Sequence, residues 1–233
     1  MIIDLVGLPG VGKTTLTNFI IDHDPQIMVK KFPYIKDVRQ IPFFVKNLFV
    51  VIPNLVRTHH DWKHGWFTPR DLSSMVILSE WSRVLEKQAF EKGKTILLDE
   101  GAVELLAWLY GFGSDYLRGN CAKNWWDRTY RQWSKTINMI IYLDSPIPVL
   151  LERIRTRDNG WDKESDADII KMFTTLRASH EQVLGILKAE SDCPILRFNT
   201  LVSSTNQIGN EILNHLHRIK PTGQCFSLRK PIA

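Results

Sequence analysis

The chain has 233 residues, enough for one α/β domain with at most a small appended lid. Hydrophobic residues make up 44% and charged residues 24%, which excludes a disordered or collagen-like chain. The net charge of +5 is mild, and fits a chain that holds several phosphates as well as one that meets nucleic acid or a membrane surface.

Three widely spaced cysteines, Cys121, Cys193 and Cys225, show no CxxC or metal-ligand pairing. They read as reduced thiols and predict a cytoplasmic protein. Met1 runs straight into Ile2–Val6 without a basic segment or long apolar run, so no secretory leader is expected.

Along the chain, the first element is an apolar strand, Ile2–Val6, followed by Gly7-Leu8-Pro9-Gly10-Val11-Gly12-Lys13-Thr14 and a helical run, Thr15–Ile21. This is the full GxxxxGK[ST] pattern in its proper strand–loop–helix setting. Glycines let the chain curl so that backbone N–H groups converge on phosphate oxygens, and the helix behind adds its positive end. The expected phosphate contacts are therefore Gly7, Pro9, Gly10, Val11, Gly12, Lys13, Thr14 and Thr15. Lys13 is placed to reach the β- and γ-phosphates of ATP, and the Thr14 hydroxyl to join a Mg²⁺ shell.

Residues 26–69 read as an irregular, aromatic insertion on the acceptor side, over one end of the sheet. Its apolar stretch from Ile41 to Val56 is interrupted by Lys46, Asn47, Pro53 and Asn54, which suits a buried helical hairpin and falls short of a membrane span. The run from His59 through Trp62, His64 and Trp66 to Phe67, with Arg70 beyond, offers aromatic faces and cations to an acceptor. A zinc site at His59, His60 and His64 lacks supporting ligands.

A long helical stretch, Arg70–Lys92, stops at Gly93, and a second strand, Thr95–Leu98, ends in Asp99-Glu100-Gly101. An acid just past a buried strand sits at the carboxyl end of the sheet. Asp99 or Glu100 can then bind Mg²⁺ or take a proton from an attacking hydroxyl. Helices follow over Glu104–Tyr110 and Trp125–Ser134, the latter with Trp126, Tyr130 and Trp133 spaced to face the sheet. Strand Ile137–Leu143 leads into helix Ile147–Arg157, where Arg153 and Arg157 share a face and Arg155 points elsewhere. This arginine run and Gly160 predict a mobile lid over 153–164, with Arg153 and Arg157 on the transferring phosphoryl group. Helix Asp166–Ala189, strand Ile195–Phe198 and helix Ser204–Ile219 complete a domain over 1–219, and 220–233 reads as a tail. The alternation predicts a three-layer α/β fold with a parallel sheet, helices on both faces and ligands at the strands' carboxyl ends.

Taken together, the phosphate loop, the acid-ended strand, Leu143-Asp144-Ser145-Pro146 and the arginine run resemble the P-loop kinases of the thymidylate kinase and deoxynucleoside kinase group. The resemblance implies ATP and Mg²⁺ as cofactors, with Thr14 and Asp99 at the metal. It also implies a catalytic acid at Asp99-Glu100, lid arginines at Arg153, Arg155 and Arg157, and an adenine-contacting turn at Asn199-Thr200. That group carries an Asp-Arg or Glu-Arg pair where this chain has Asp99-Glu100, so the acid carries over and the arginine does not. The expected activity is transfer of the γ-phosphoryl group of ATP to a hydroxyl or phosphate of a nucleoside-, nucleotide- or sugar-like acceptor. The alternative is an NTP-hydrolysing ATPase or switch using Asp99-Glu100 as a Mg²⁺- and water-handling pair. A nucleic-acid partner has only the mild charge behind it and is not expected; homodimerisation is left open.

Overall fold

The computed structural model describes residues 1–32, 45, 68–119, 122–157 and 161–219. Five strands form one sheet: β1 (Ile2–Val6), β2 (Ile27–Lys30), β3 (Thr95–Asp99), β4 (Met139–Asp144) and β5 (Ile195–Asn199). Their spatial order is β2-β3-β1-β4-β5, and every pairing is parallel. Every residue of β1 and β3 is buried, as short apolar strands covered on both faces should be. Burying each such Leu, Ile or Val contributes about 1.5–3 kcal/mol, which fixes the centre of the sheet.

The helices are α1 (Lys13–His23), α2 (Pro69–Lys92), α3 (Ala102–Phe112), α4 (Asp115–Arg118), α5 (Lys123–Thr136), α6 (Ile147–Arg155), α7 (Asp166–Glu190) and α8 (Thr205–Ile219). On one face α1 packs beside α8 and against β2 and β3. On the other, α3 contacts β1 and packs against α7 and α2. The three-layer arrangement expected from the sequence is thus the observed one.

The longest strand–helix connection is punctuated by local chemistry. The Thr68 hydroxyl accepts the Asp71 N–H at 3.1 Å, and the Asp71 carboxylate accepts the Thr68 N–H at 3.1 Å, a reciprocal cap that starts α2. Gly93, left-handed at φ 59°, ends it as expected.

Several boundaries differ from the sequence reading. Helix α1 begins at Lys13 rather than Thr15, and α6 stops at Arg155, with Thr156 as its C-cap, rather than running to Arg157. A strand at Ile27–Lys30 stands where the sequence suggests only irregular chain; four residues after Asp24-Pro25-Gln26 carry too little periodicity to declare an edge strand. Trp133 is fully buried, but its indole N–H donates to the Leu78 carbonyl of α2 at 2.8 Å, so α5 faces α2 and α7 rather than the sheet. Residues 33–44 and 46–67 of the insertion, with its histidines and its aromatics other than Phe32, the lid residues Asp158–Gly160 and the tail 220–233 lie outside the described residues. Among the described residues no helix is long and apolar enough to cross a membrane, and no cluster of three metal-ligating side chains occurs.

Candidate active site

Register puts the functional segments at one end of the sheet. Leu5 pairs with Asp99, Val6 with Tyr142 and Asp144 with Asn199, so the loops leaving β1, β3, β4 and β5 emerge side by side. Ligands of open parallel sheets bind at such carboxyl ends.

The loop leaving β1 curls back on itself. Val11 N–H donates to the Leu8 carbonyl at 3.2 Å, and Gly12 stands at φ 102°, a conformation that only glycine adopts without strain. Gly12 is also the residue before α1, and no side chain caps that helix. The first N–H groups of α1 therefore lack intrahelical acceptors and point a partial positive charge into the loop's concavity. Lys13 Nζ donates to the Gly7 carbonyl, holding its ammonium over the loop.

Two adjoining cavities occupy this end of the molecule. The larger, about 380 Å³, is lined by Gly10, Val11, Gly12 and Thr15 on the loop side, by Arg153 and Arg157, and by Thr200 with Ser203, Ser204 and Thr205. The smaller, about 170 Å³, is lined by Pro9 through Thr14, by Glu100 and by Arg157. Arg157 and the loop glycines thus form the shared wall.

Glu100 has φ 62°, the left-handed region, and is the single non-glycine residue with positive φ among the described residues. Such a backbone costs a non-glycine residue about 1–2 kcal/mol and persists where the surroundings enforce it. Asp99 is placed differently. It is buried and accepts an ion pair from Lys31, 3.1 Å away at the end of β2. The Asp99 carboxylate beside Lys31 raises the lysine's pKa, so Lys31 stays charged.

Arg153 reaches Thr200, donating to its hydroxyl at 3.0 Å and its carbonyl at 3.1 Å. It therefore borders the large cavity on the β5 side. Asn199 lines neither cavity; its side-chain oxygen accepts the Leu201 N–H at 2.9 Å and shapes the turn that presents Thr200. Arg155 is away from both cavities. Its guanidinium donates to the Trp161 and Glu164 carbonyls at 2.6 Å and to Asp166 at 2.6 and 3.0 Å, bracing the entry to α7. Arg155, expected at the nucleotide, is here bonded into the fold and lines neither cavity.

The structure thus brings together Pro9, Gly10, Val11, Gly12, Lys13, Thr14, Thr15, Glu100, Arg153, Arg157 and Thr200 around the two cavities. Gly7, Asp99, Arg155 and Asn199 support that ring from outside it. Sequence reasoning missed Lys31, because β2 was not seen, and the Ser203-Ser204-Thr205 wall. The latter carried a signal, since a run of hydroxyl residues opening a helix just after a strand is the pattern of an N-terminal cap.

No protein-family model and no curated protein matches the sequence. Solved structures do match. A deoxyadenosine kinase from M. mycoides with bound dATP superposes at TM-score 0.55 and 17% identity, over 93% of this chain and 100% of that one. A structure of deoxyadenosine kinase from the same source with bound dCTP gives 0.52 and 17% over 94% and 100%. The YorR protein from Bacillus subtilis, in complex with phosphorylated GDP, gives 0.53 and 13% over 93% and 96%. The chain shares its fold with these deoxyadenosine kinase structures.

Proposed function

We propose that the protein transfers the γ-phosphoryl group of ATP to a hydroxyl of a nucleoside-type acceptor. The observation that carries the reading is the position of Glu100, held in a left-handed conformation and lining the same small cavity as Lys13, Thr14 and Arg157. A hydroxyl must lose its proton as it attacks phosphorus, so it needs a base within reach. A phosphate acceptor is already ionised and would be repelled by that carboxylate. The nearby carboxylate therefore favours an alcohol.

In this reading the larger cavity takes the base and ribose of ATP between Arg153-Thr200 and Ser203–Thr205. The loop from Gly7 to Thr15 holds the phosphates, and Lys13 and Arg157 lie against the β- and γ-groups. Glu100 accepts the acceptor's proton, the freed oxygen forms a bond to Pγ, the bond from Pγ to the bridging oxygen breaks, and ADP leaves. Thr14, with a carboxylate of the Asp99-Glu100 pair, offers the hard oxygen donors that suit Mg²⁺, which needs only one or two protein oxygens beside phosphate and water. That ion would supply neutralisation of charge on the transferring group. Asp99 serves as the ion-pair partner of Lys31. The nucleoside character of the acceptor is supported by the fold shared with deoxyadenosine kinases.

The test is incubation with Mg-ATP and a panel of nucleosides, followed by mass analysis. Nucleoside monophosphate formed by wild type but not by Lys13→Ala or Glu100→Gln supports the reading. ATP consumed with release of inorganic phosphate alone would favour the hydrolytic alternative, in which Glu100 orients water.

A further inference from the structure

The left-handed turn at Glu100 follows β3, and the neighbouring strand β1 carries Asp4 beside it. This aspartate sits in the middle of β1, the central strand, opposite Leu98 of β3, and is fully buried. A carboxylate in a sheet interior is costly unless it accepts hydrogen bonds. Its Oδ2 accepts the Val103 N–H of α3 at 2.9 Å. Helix α3 needs that acceptor, because its N-cap is Gly101, which has no side chain to satisfy the first N–H groups. The cap is thus supplied from β1, across 99 positions of sequence.

Gly101 is glycine because of the same carboxylate. A Cβ there would stand 2.0 Å from Asp4 Oδ1, whereas its backbone, at φ −89° and ψ −158°, would suit any residue. The chain after β3 is therefore drawn down onto Asp4, and Glu100, between buried Asp99 and Gly101, takes up the turn. We infer that Asp4 is a positioning residue: by capping α3 beneath Gly101 it holds Glu100 in its left-handed conformation, directed at the phosphate loop. The inference rests on the phosphotransfer reading of that site. Asp4 itself touches neither cavity.

The groups around this cap are charged as well as polar. Glu104 of α3 faces Asp4, accepts from His180 Nε2 of α7 at 3.0 Å, and is drawn toward the Lys13 charge. Cys193, before β5, also lies in the field of Asp4.

A double-mutant cycle tests this with Asp4→Ala, Gly101→Ala and the pair, measuring kcat and the KM for ATP. Each single variant should lower kcat about tenfold or more with the KM for ATP little changed, because the base moves and the nucleotide cavity does not. The pair should be no slower than Asp4→Ala alone, since the methyl at 101 then meets no carboxylate. Asp4→Asn, which keeps an acceptor for Val103, should stay within about threefold of wild type. Effects that multiply, a wild-type kcat for Asp4→Ala, or a loss confined to KM would overturn the inference. Hydrogen exchange decides it independently of turnover and of whether Gly101→Ala folds. Asp4→Ala should speed exchange over 99–105 and leave 7–14 unchanged; unchanged protection at 99–105 would refute it. Should wild type transfer no phosphoryl group at all, the functional reading falls, and the exchange result still judges the cap.

Discussion

Replacing Asp4 by asparagine should stabilise the protein, increasingly so as the pH rises. Burial, the largest influence, and the charge of Glu104 push the Asp4 carboxyl up from 3.8 to about 7, against the pull of the Val103 and Ala102 N–H groups. Because the folded pKa lies above the unfolded one, the folded chain holds an extra proton between those two values. This group's contribution to stability is therefore fully present below pH 4, falls as the pH rises, and levels off above 7. The charged form costs the fold about 4 kcal/mol at the plateau, at about 1.4 kcal/mol for each unit of pKa difference. Asparagine has the same shape, still accepts from Val103 and has no proton to lose. Urea unfolding of both proteins at pH 5, 6, 7 and 8 isolates the effect, since all other titrations cancel in the difference. The asparagine variant should gain about 2–3 kcal/mol relative to wild type between pH 5 and 7 and little more by pH 8. A difference that stays constant across the series would show that Asp4 does not titrate in this range, and would refute the argument from burial.

Other substitutions separate the roles assigned to the site. Lys13→Ala should abolish phosphoryl transfer while thermal unfolding stays close to wild type, because its hydrogen bonds are to loop carbonyls rather than to the core. Glu100→Gln should lower kcat about a hundredfold or more with ATP binding intact, measured by steady-state kinetics and calorimetry; a mild effect would remove the base from the mechanism. Glu100→Gly should raise stability by about 1 kcal/mol in denaturant titrations while equally inactive, since glycine adopts φ 62° freely. Arg153→Ala should raise the KM for ATP through loss of the Thr200 wall, whereas Arg157→Ala should act mainly on kcat. Equal effects of the two arginines on both constants would contradict their separate placement.

Much of this site was legible along the chain because its chemistry is local. The phosphate loop needs consecutive residues, and Gly7 through Thr15 announce it without help from any distant contact. The acid after β3 was legible for the same reason, as an apolar run ending in Asp99-Glu100. Which of the two acids faces the loop was not, since that depends on Lys31 claiming Asp99 and on Asp4 drawing down Gly101, both contacts between separate strands and turns. The placement of the arginines likewise depends on distant contacts. A spacing of four residues put Arg153 and Arg157 on one helical face, yet α6 ends between them, and Thr200 rather than helical geometry decides where Arg153 lies. Arg155 points away from that face, the family resemblance alone puts it at the nucleotide, and its bonds to Trp161, Glu164 and Asp166 are visible only in the fold.

The central claim is most directly tested by following the label of γ-³²P-ATP in the presence of Mg²⁺ and individual nucleosides. The account predicts label on a nucleoside hydroxyl, formed by wild type and lost in both Lys13→Ala and Glu100→Gln. Label appearing only as inorganic phosphate, at a rate indifferent to every nucleoside, would contradict it.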